Sequence, residues 1–450
     1  MTVAAAASGS RWTSSIGFVL ATLGSAIGLG NIWRFSYVVG ENGGGAFILV
    51  YLLAVLVLGV PLLVAELAIG RATEGNAVSA FERITDRAPW KWTGWLGAAA
   101  SVGILSYYPV IAGWVASYFW NYASGAGNLL AGTTFSASFA ALIADPVRVV
   151  LWSAIVIGGA AAVVAVGVGR GIERACKILM PTFFAIVLLL AAYGLTLPGA
   201  GQAMEFLFAP DWNALLEPKT YLAAVGQAFF SIGLAMGIVV TFGGYLKGQE
   251  RLLHAALVIA VGDTAIALLA GIMIFPMVFS FGVDPAAGPT LAFVVLPEMF
   301  ATLPSGRWLA TAFFGLLLIA ALTSIMALLE VPIAVLVSKL GWRRPYAAAA
   351  VAIGIILLGI PAALSYGVLR DLSVGGAPLL DVADYLSSNI ILPLSGIAIA
   401  LFVGWSWPSA AAATSAGFAR PWLHEAWMWS LRIVIPLLVA AAMMRGLGWV

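Results

Sequence analysis

About eleven apolar runs of membrane-spanning length succeed one another along this chain, and no fold in water could hide them all. They fall at about 14–38, 45–69, 91–122, 147–168, 174–197, 219–246, 253–282, 307–338, 345–366, 385–405 and 427–447. A bilayer core holds no water to satisfy backbone N–H and C=O groups, so each run must become a helix bonded to itself. Composition agrees: 62% of the 450 residues are hydrophobic and 9% are charged, with a mean hydropathy of +1.05. The fold class is therefore an all-α polytopic membrane protein, one transmembrane domain over 1–450 with no separate soluble domain. The first run, at about 25 residues, is too long for the apolar core of a secretory signal peptide and lacks a cleavage site.

An odd number of spans puts the two chain ends on opposite sides. Lysine and arginine set the orientation. Basic clusters at 83–91, 170–177 and 339–344 would share the side of the N-terminus, while the opposite loops carry Arg148, Lys219, Arg307 and Arg370 one apiece. The N-terminus is expected in the cytoplasm, and the membrane is expected to be the cell (inner) membrane. A net charge of +2 points to no nucleic acid. The single cysteine, Cys176, makes no internal disulfide. Trp90, Trp92, Trp95, Trp422, Trp427 and Trp429 sit near run ends, where tryptophan anchors a helix at the lipid headgroups.

The first run contains a stretch that a plain anchor would not need, "LGSAIGLGNIWRF" at 23–35. Glycine weakens a helix interior and arginine in hydrocarbon is costly. The sixth run carries "SIGLAMG" at 231–237. The two lie five spans apart, so a five-helix repeat would have inverted topology, and paired interruptions of this kind mark transporter binding sites. Gly24–Gly28 and Gly233–Gly237 also suit close helix packing, so spacing alone leaves both readings open.

Further segments widen the pattern: "ENGGGAFILVYLL" (41–53), "PLLVAELAIGR" (61–71), "YY" (107–108), "VGQAFFSIGLAMG" (225–237), "LTS" (322–324) and "DYL" (384–386). With these the chain resembles, from about 12 to 405, the neurotransmitter:sodium symporter (NSS) family and its bacterial amino-acid transporters of LeuT-type fold. The resemblance implies a 5+5 inverted repeat (about 12–197 and 219–405), broken helices 1 and 6, and an extra C-terminal helix at about 427–447. It also implies sodium-coupled import by alternating access. The physics is coherent. Unwinding a helix in mid-membrane frees backbone groups, which is tolerable where they line a polar site. Freed carbonyls suit Na⁺, and freed amides suit a carboxylate.

By the same resemblance, two Na⁺ ions are co-transported. The first would be held by the Ala26 carbonyl, Asn31, Ser231, Asp263 and the substrate carboxylate. The second would be held by the carbonyls of Gly24, Ile27 and Ala320 with the hydroxyls of Thr323 and Ser324. In isolation those two hydroxyls would bond back into their own helix. The substrate pocket would comprise Ala26, the Gly28 and Leu29 amides, Ile104, the Tyr108 hydroxyl, Phe230 as lid, Ser231, Gly233, Met236, Ser324 and Leu328. None of these is charged, so the expected substrate is a neutral hydrophobic L-amino acid, aliphatic or aromatic.

Arg34 and Asp384 resemble an outer gate pair, with Tyr108 and Phe230 beneath them, and Trp12 resembles an inner plug. The inner ion pair departs from the family pattern: Gly9 stands where an arginine is expected and Ser338 where an aspartate is expected. Glu66 and Glu330 are expected to brace unwound backbone or helix 6, Glu330 through Tyr245. Gly171 and Pro181 reproduce a glycine–nine residues–proline pattern that the family associates with unwinding of helix 5. Ordinary helix initiation accounts for them equally well. Tyr51, Gln227 and Ser231 match part of a chloride shell, but Asp263 replaces a neutral asparagine and Ala267 lacks a hydroxyl. A fixed carboxylate would then supply the charge that chloride supplies elsewhere, making transport chloride-independent. A carboxylate that can take a proton on the empty return step leaves proton antiport open.

Two alternatives share the fold: a proton-coupled amino-acid permease, which sodium-free uptake would reveal, and a non-transporting amino-acid sensor, which a flux assay would reveal. An enzyme is not expected. The chain has two histidines, His254 and His424, "HEAWM" at 424–428 lacks a second zinc-binding histidine, and no GxSxG or phosphate loop occurs.

Overall fold

In a computed structural model the chain is a bundle of long helices. The structure describes residues 11–125, 134–246, 250–285 and 291–449. The helices are α1 (Ser15–Ala26), α2 (Gly30–Glu41), α3 (Gly45–Thr73), α4 (Ala77–Ile84), α5 (Ala88–Ser124), α6 (Phe135–Ala144), α7 (Pro146–Val166), α8 (Val168–Gly194), α9 (Ala200–Phe208), α10 (Pro218–Ser231), α11 (Ile238–Gly244), α12 (Leu252–Ser280), α13 (Val295–Thr302), α14 (Gly306–Leu340), α15 (Arg344–Leu364), α16 (Leu379–Ser406), α17 (Ser409–Ala416) and α18 (Pro421–Gly446). A two-residue hairpin, β1 (Ser373–Val374) with β2 (Ala377–Pro378), precedes α16.

Among the described residues nine helices are long and apolar enough to cross a membrane, and the bent pair α1–α2 makes a tenth span. The pair α10–α11, separated by residues 232–237, completes the eleven expected from the sequence. In α14, 72% of the most apolar stretch is buried, against 28% in α18. The first is thus a central pillar and the second a peripheral helix exposed along most of its length. Helix α14 packs on α1, α5 and α7, while α11 lies against α3. The two interrupted helices therefore sit at the middle of the bundle.

One tryptophan departs from the sequence reading. Trp92, Trp422 and Trp429 are exposed, as headgroup anchors should be, but Trp427 is buried. Its indole N–H donates to the Pro61 carbonyl at 2.9 Å. The Pro61 carbonyl has two lone pairs, and the one that its own helix does not use takes the indole N–H. Trp427 therefore ties α18 to α3.

Candidate functional site

Each helix break is held open by side chains that satisfy the freed backbone. Between α1 and α2 the axis turns by 56°. The Gly28 N–H donates to Asn31 Oδ1 at 3.1 Å, and the Leu29 N–H to the Tyr108 hydroxyl at 3.3 Å. Ser324 Oγ donates to the Ser25 carbonyl at 3.4 Å, and Gln227 Nε2 to the Gly30 carbonyl at 3.2 Å. The carbonyls of Gly24 and Ala26 belong to the last turn of α1, where a helix has no partners of its own to offer.

The second break, 232–237, places Gly233 at φ +69°, Ala235 at +63° and Gly237 at +73°. Glycine takes this conformation without penalty; for alanine it costs roughly 1–2 kcal/mol. Ala235 is held there by its surroundings. Its N–H donates to Glu66 Oε1 at 2.7 Å, and its carbonyl accepts from Ser395 Oγ at 2.8 Å. The expected brace by Glu66 is thus present.

Between the breaks lies a small cavity. All of the expected substrate residues line it except Leu29, which faces the larger space above. Ser25, Gly30 and Ile238 also line it and were not expected. At one end is a buried polar cluster. Asn31 Nδ2 donates to Asp263 Oδ1 at 2.7 Å and to Ser231 Oγ at 2.8 Å, and Ser231 Oγ donates to Asp263 Oδ2 at 2.6 Å. The Tyr51 hydroxyl reaches Ser231 at 3.3 Å. Residues from α2, α3, α10 and α12 meet here, 232 positions apart at the extreme. Gln227 does not join Asp263; it bonds to Gly30 instead, at the first break.

At the second expected sodium position α1 and α14 meet. Thr323 Oγ1 bonds back to the Ile319 and Ala320 carbonyls, both at 3.0 Å, while Ser324 reaches across to α1. A Cβ on Gly24 would stand 3.3 Å from Thr323 Cβ. Gly24 of α1 and Thr323 of α14 are therefore close neighbours, and Ile27 is fully buried.

Above the cavity opens a larger vestibule, lined by Trp33, Arg34, Tyr37, Tyr107 and Asp384 among others. Gly30, Tyr108 and Phe230 border both spaces and form the floor between them. Arg34 and Asp384 are not bonded to one another: the guanidinium lies 4.4 Å from the Phe230 ring centroid, and Asp384 accepts from Ser388 at 2.8 Å. At the opposite end the bundle is shut. Trp12 is buried, with its indole donating to the Phe242 carbonyl at 3.0 Å. Arg11 pairs with Glu74 at 2.9 Å. Ser338 accepts from Asn76 at 2.6 Å, so no carboxylate acts there; Gly9 lies outside the described residues. Glu330 accepts from the Tyr245 hydroxyl at 2.7 Å, as expected, and from Arg344, which was not expected.

A further residue escaped the sequence reading. Glu173 is fully buried and accepts from the Thr13 N–H (2.7 Å), Thr13 Oγ1 (2.6 Å), Ser14 Oγ (2.8 Å) and Lys177 Nζ (2.7 Å). It fastens the start of α1 to the start of α8, and Gly17 leaves it room: a Cβ there would lie 2.1 Å from its carboxylate. Its position within a basic cluster hid it, because the cluster reads as a solvated loop. Gly171 lies in the wide-turn first segment of α8, and Pro181 lies inside that helix.

Two interrupted helices facing each other around a cavity, with a vestibule on one side and the buried Trp12 on the other, define a secondary transporter. The sodium:neurotransmitter symporter family model matches residues 9–129 and 143–447. A sodium-dependent transporter of Bacillus subtilis, YhdH, is 38% identical over 441 residues, spanning 97% of this chain and 98% of its own. Another, from Haemophilus influenzae, is 35% identical over 95% of this chain and 96% of its own. Among solved structures, that of MhsT in complex with L-phenylalanine matches with a TM-score of 0.89 and 44% identity, covering 97% of this chain and 99% of that one. The chain belongs to the sodium:neurotransmitter symporter family: it is a multi-pass, sodium-dependent symporter of LeuT-type fold and not an enzyme.

Proposed function

We propose that this symporter imports neutral, hydrophobic L-amino acids together with two Na⁺ ions, independently of chloride and with proton antiport through Asp263. The observation that carries the reading is the chemistry of the cavity. Its polar groups gather at the helix breaks and the rest of its wall is apolar, with no charged side chain among the residues that line it. A substrate carboxylate would find the Gly28 and Leu29 amides and the Tyr108 hydroxyl, and an apolar side chain would lie against Ile104, Met236 and Leu328. A charged side chain would stay unpaired. That MhsT was solved with L-phenylalanine supports the substrate class.

In this reading the first Na⁺ binds the Ala26 carbonyl, Asn31, Ser231, Asp263 and the substrate carboxylate, so ion and substrate bind together. The second Na⁺ binds the carbonyls of Gly24, Ile27 and Ala320 with Thr323 and Ser324. It bridges α1 to α14, and Thr323 need only exchange its back-bonds for the ion. Asp263, with Tyr51 bonded to its partner Ser231, takes the place of chloride. Arg34 and Asp384 close over Phe230 when the substrate is in, and Trp12 leaves its seat when the inner end opens. The basic clusters support a cytoplasmic N-terminus in the cell (inner) membrane, which makes the vestibule external. The two repeats are assigned to about 12–197 and 219–405.

The test is binding of all twenty amino acids to purified protein with and without sodium, followed by uptake into proteoliposomes in chloride and in gluconate at varied internal pH. The reading expects sodium-dependent binding of apolar amino acids and uptake that persists in gluconate. A strong preference for glutamate or lysine overturns the substrate class, and strict chloride dependence overturns the role of Asp263.

A further inference from the structure

The break between α10 and α11 is gripped at two successive residues by three helices. Glu66 of α3 accepts the Ala235 N–H at 2.7 Å, and Ser395 of α16 donates to the Ala235 carbonyl at 2.8 Å. Ser101 of α5 donates to the next carbonyl, that of Met236, at 2.5 Å. Ser101 and Ser395 are both buried and neither lines the cavity. Their hydroxyls spend their hydrogen bonds on a segment that the bare chain would not hold in this shape, since Ala235 sits in the left-handed region. The helix that brings Ser101 approaches closely: a Cβ on Gly97, one turn earlier, would lie 3.2 Å from the Gly237 nitrogen. The Met236 side chain springs from the middle of this grip and enters the cavity. Methionine has three rotatable bonds and fills irregular space, so an unanchored Met236 would adapt to whatever lay beside it. Anchoring its backbone fixes where that flexible chain starts.

We infer that Ser101 and Ser395 are positioning residues for substrate selectivity: they lock the Ala235–Met236 backbone so that Met236 presents one wall to the substrate side chain. The inference rests on the proposed binding of amino acids in this cavity. It gives a distinct signature. A residue that only stabilised the protein would weaken every substrate alike, whereas a lock on one wall changes their ratio.

The experiment uses the full-length protein in detergent or nanodiscs. Dissociation constants for the twenty amino acids are measured first on the wild type, and the pair that it separates most is chosen. Ser101→Ala and Ser395→Ala are each expected to shrink that ratio at least threefold, with sodium affinity in the absence of substrate unchanged within twofold, because Asn31, Ser231 and Asp263 are untouched. Ser101→Thr, which keeps the hydroxyl, is expected to keep the wild-type ratio. The two alanine variants act from different helices, so either carries the test if the other folds poorly. A smaller change in ratio, a change away from unity, a parallel loss of sodium affinity, or an equal effect of Ser101→Thr overturns the inference. If the wild type separates polar amino acids instead of apolar ones, the proposed substrate class fails while the ratio still reads the lock.

Discussion

Asp263 accepts hydrogen bonds from Asn31 and Ser231 inside a fully buried cluster, so its charge needs a cation nearby. Replacing it by asparagine keeps the shape and removes the charge. Asp263→Asn is expected to weaken sodium at least tenfold in gluconate, with part of the loss restored by chloride; a sodium titration of substrate binding reads both. Gly233 supplies the other prediction at this scale. A Cβ on it would meet Ala26 Cα and the Ser25 carbonyl at 3.8 Å, ordinary contact, so a larger side chain would project into the cavity. Its φ of +69° adds a penalty of roughly 1–2 kcal/mol that falls on all substrates alike. Gly233→Phe is therefore expected to lower tryptophan affinity at least tenfold more than alanine affinity, as competition binding would show.

The elements move only as far as their fastenings allow. Glu173 joins α1 to α8 by hydrogen bonds from Thr13 and Ser14, and Lys177 of α8 itself adds a third partner. Hydrogen bonds to a charged group contribute about 1.5–3 kcal/mol each, so losing the carboxylate should free the first turns of α1. Glu173→Ala is expected to raise amide hydrogen exchange in Ser15–Ala26 at least tenfold while leaving α12 unchanged. Equal protection in both proteins would mean that the α1 start is held by its other contacts, Trp12 with Phe242 and Arg11 with Glu74. The helix breaks belong to this scale too. Glycine-rich stretches marked where α1 and α10 could stop, but the acceptors and donors that let them stop, Tyr108, Gln227, Glu66 and Ser395, come from other helices.

For the whole molecule the question is whether two sodium ions suffice to drive accumulation. Moving a charge through 100 mV contributes about 2.3 kcal/mol. A tenfold sodium gradient adds about 1.4 kcal/mol per ion. Two ions then provide about 7.4 kcal/mol, which sustains roughly five decades of accumulation of a neutral substrate. Proteoliposomes given a sodium gradient and a negative-inside potential are expected to concentrate the substrate. Collapsing both should abolish accumulation while sodium-dependent binding persists. Uptake indifferent to sodium and to potential would overturn symport by two ions.

The apolar runs were enough to state about eleven spans, and the two glycine-interrupted stretches marked where breaks could fall. These are properties of short segments: hydrocarbon transfer is additive along a run, and glycine acts where it stands. The residues of the polar cluster were legible only through resemblance, because Asn31 and Asp263 are brought together across 232 positions by packing and not by spacing. Several contacts were decided by the tertiary structure alone. Trp427 turned inward, and its indole donates to the Pro61 carbonyl of a neighbouring helix. Arg344 took up Glu330, and Glu173 took up Thr13 and Ser14. Ser101 and Ser395 look like any serine in a span until the helix opposite unwinds and offers them a carbonyl. A polar side chain in a membrane bonds to whatever freed group the neighbouring helix presents, and which group that is depends on how the helices pack.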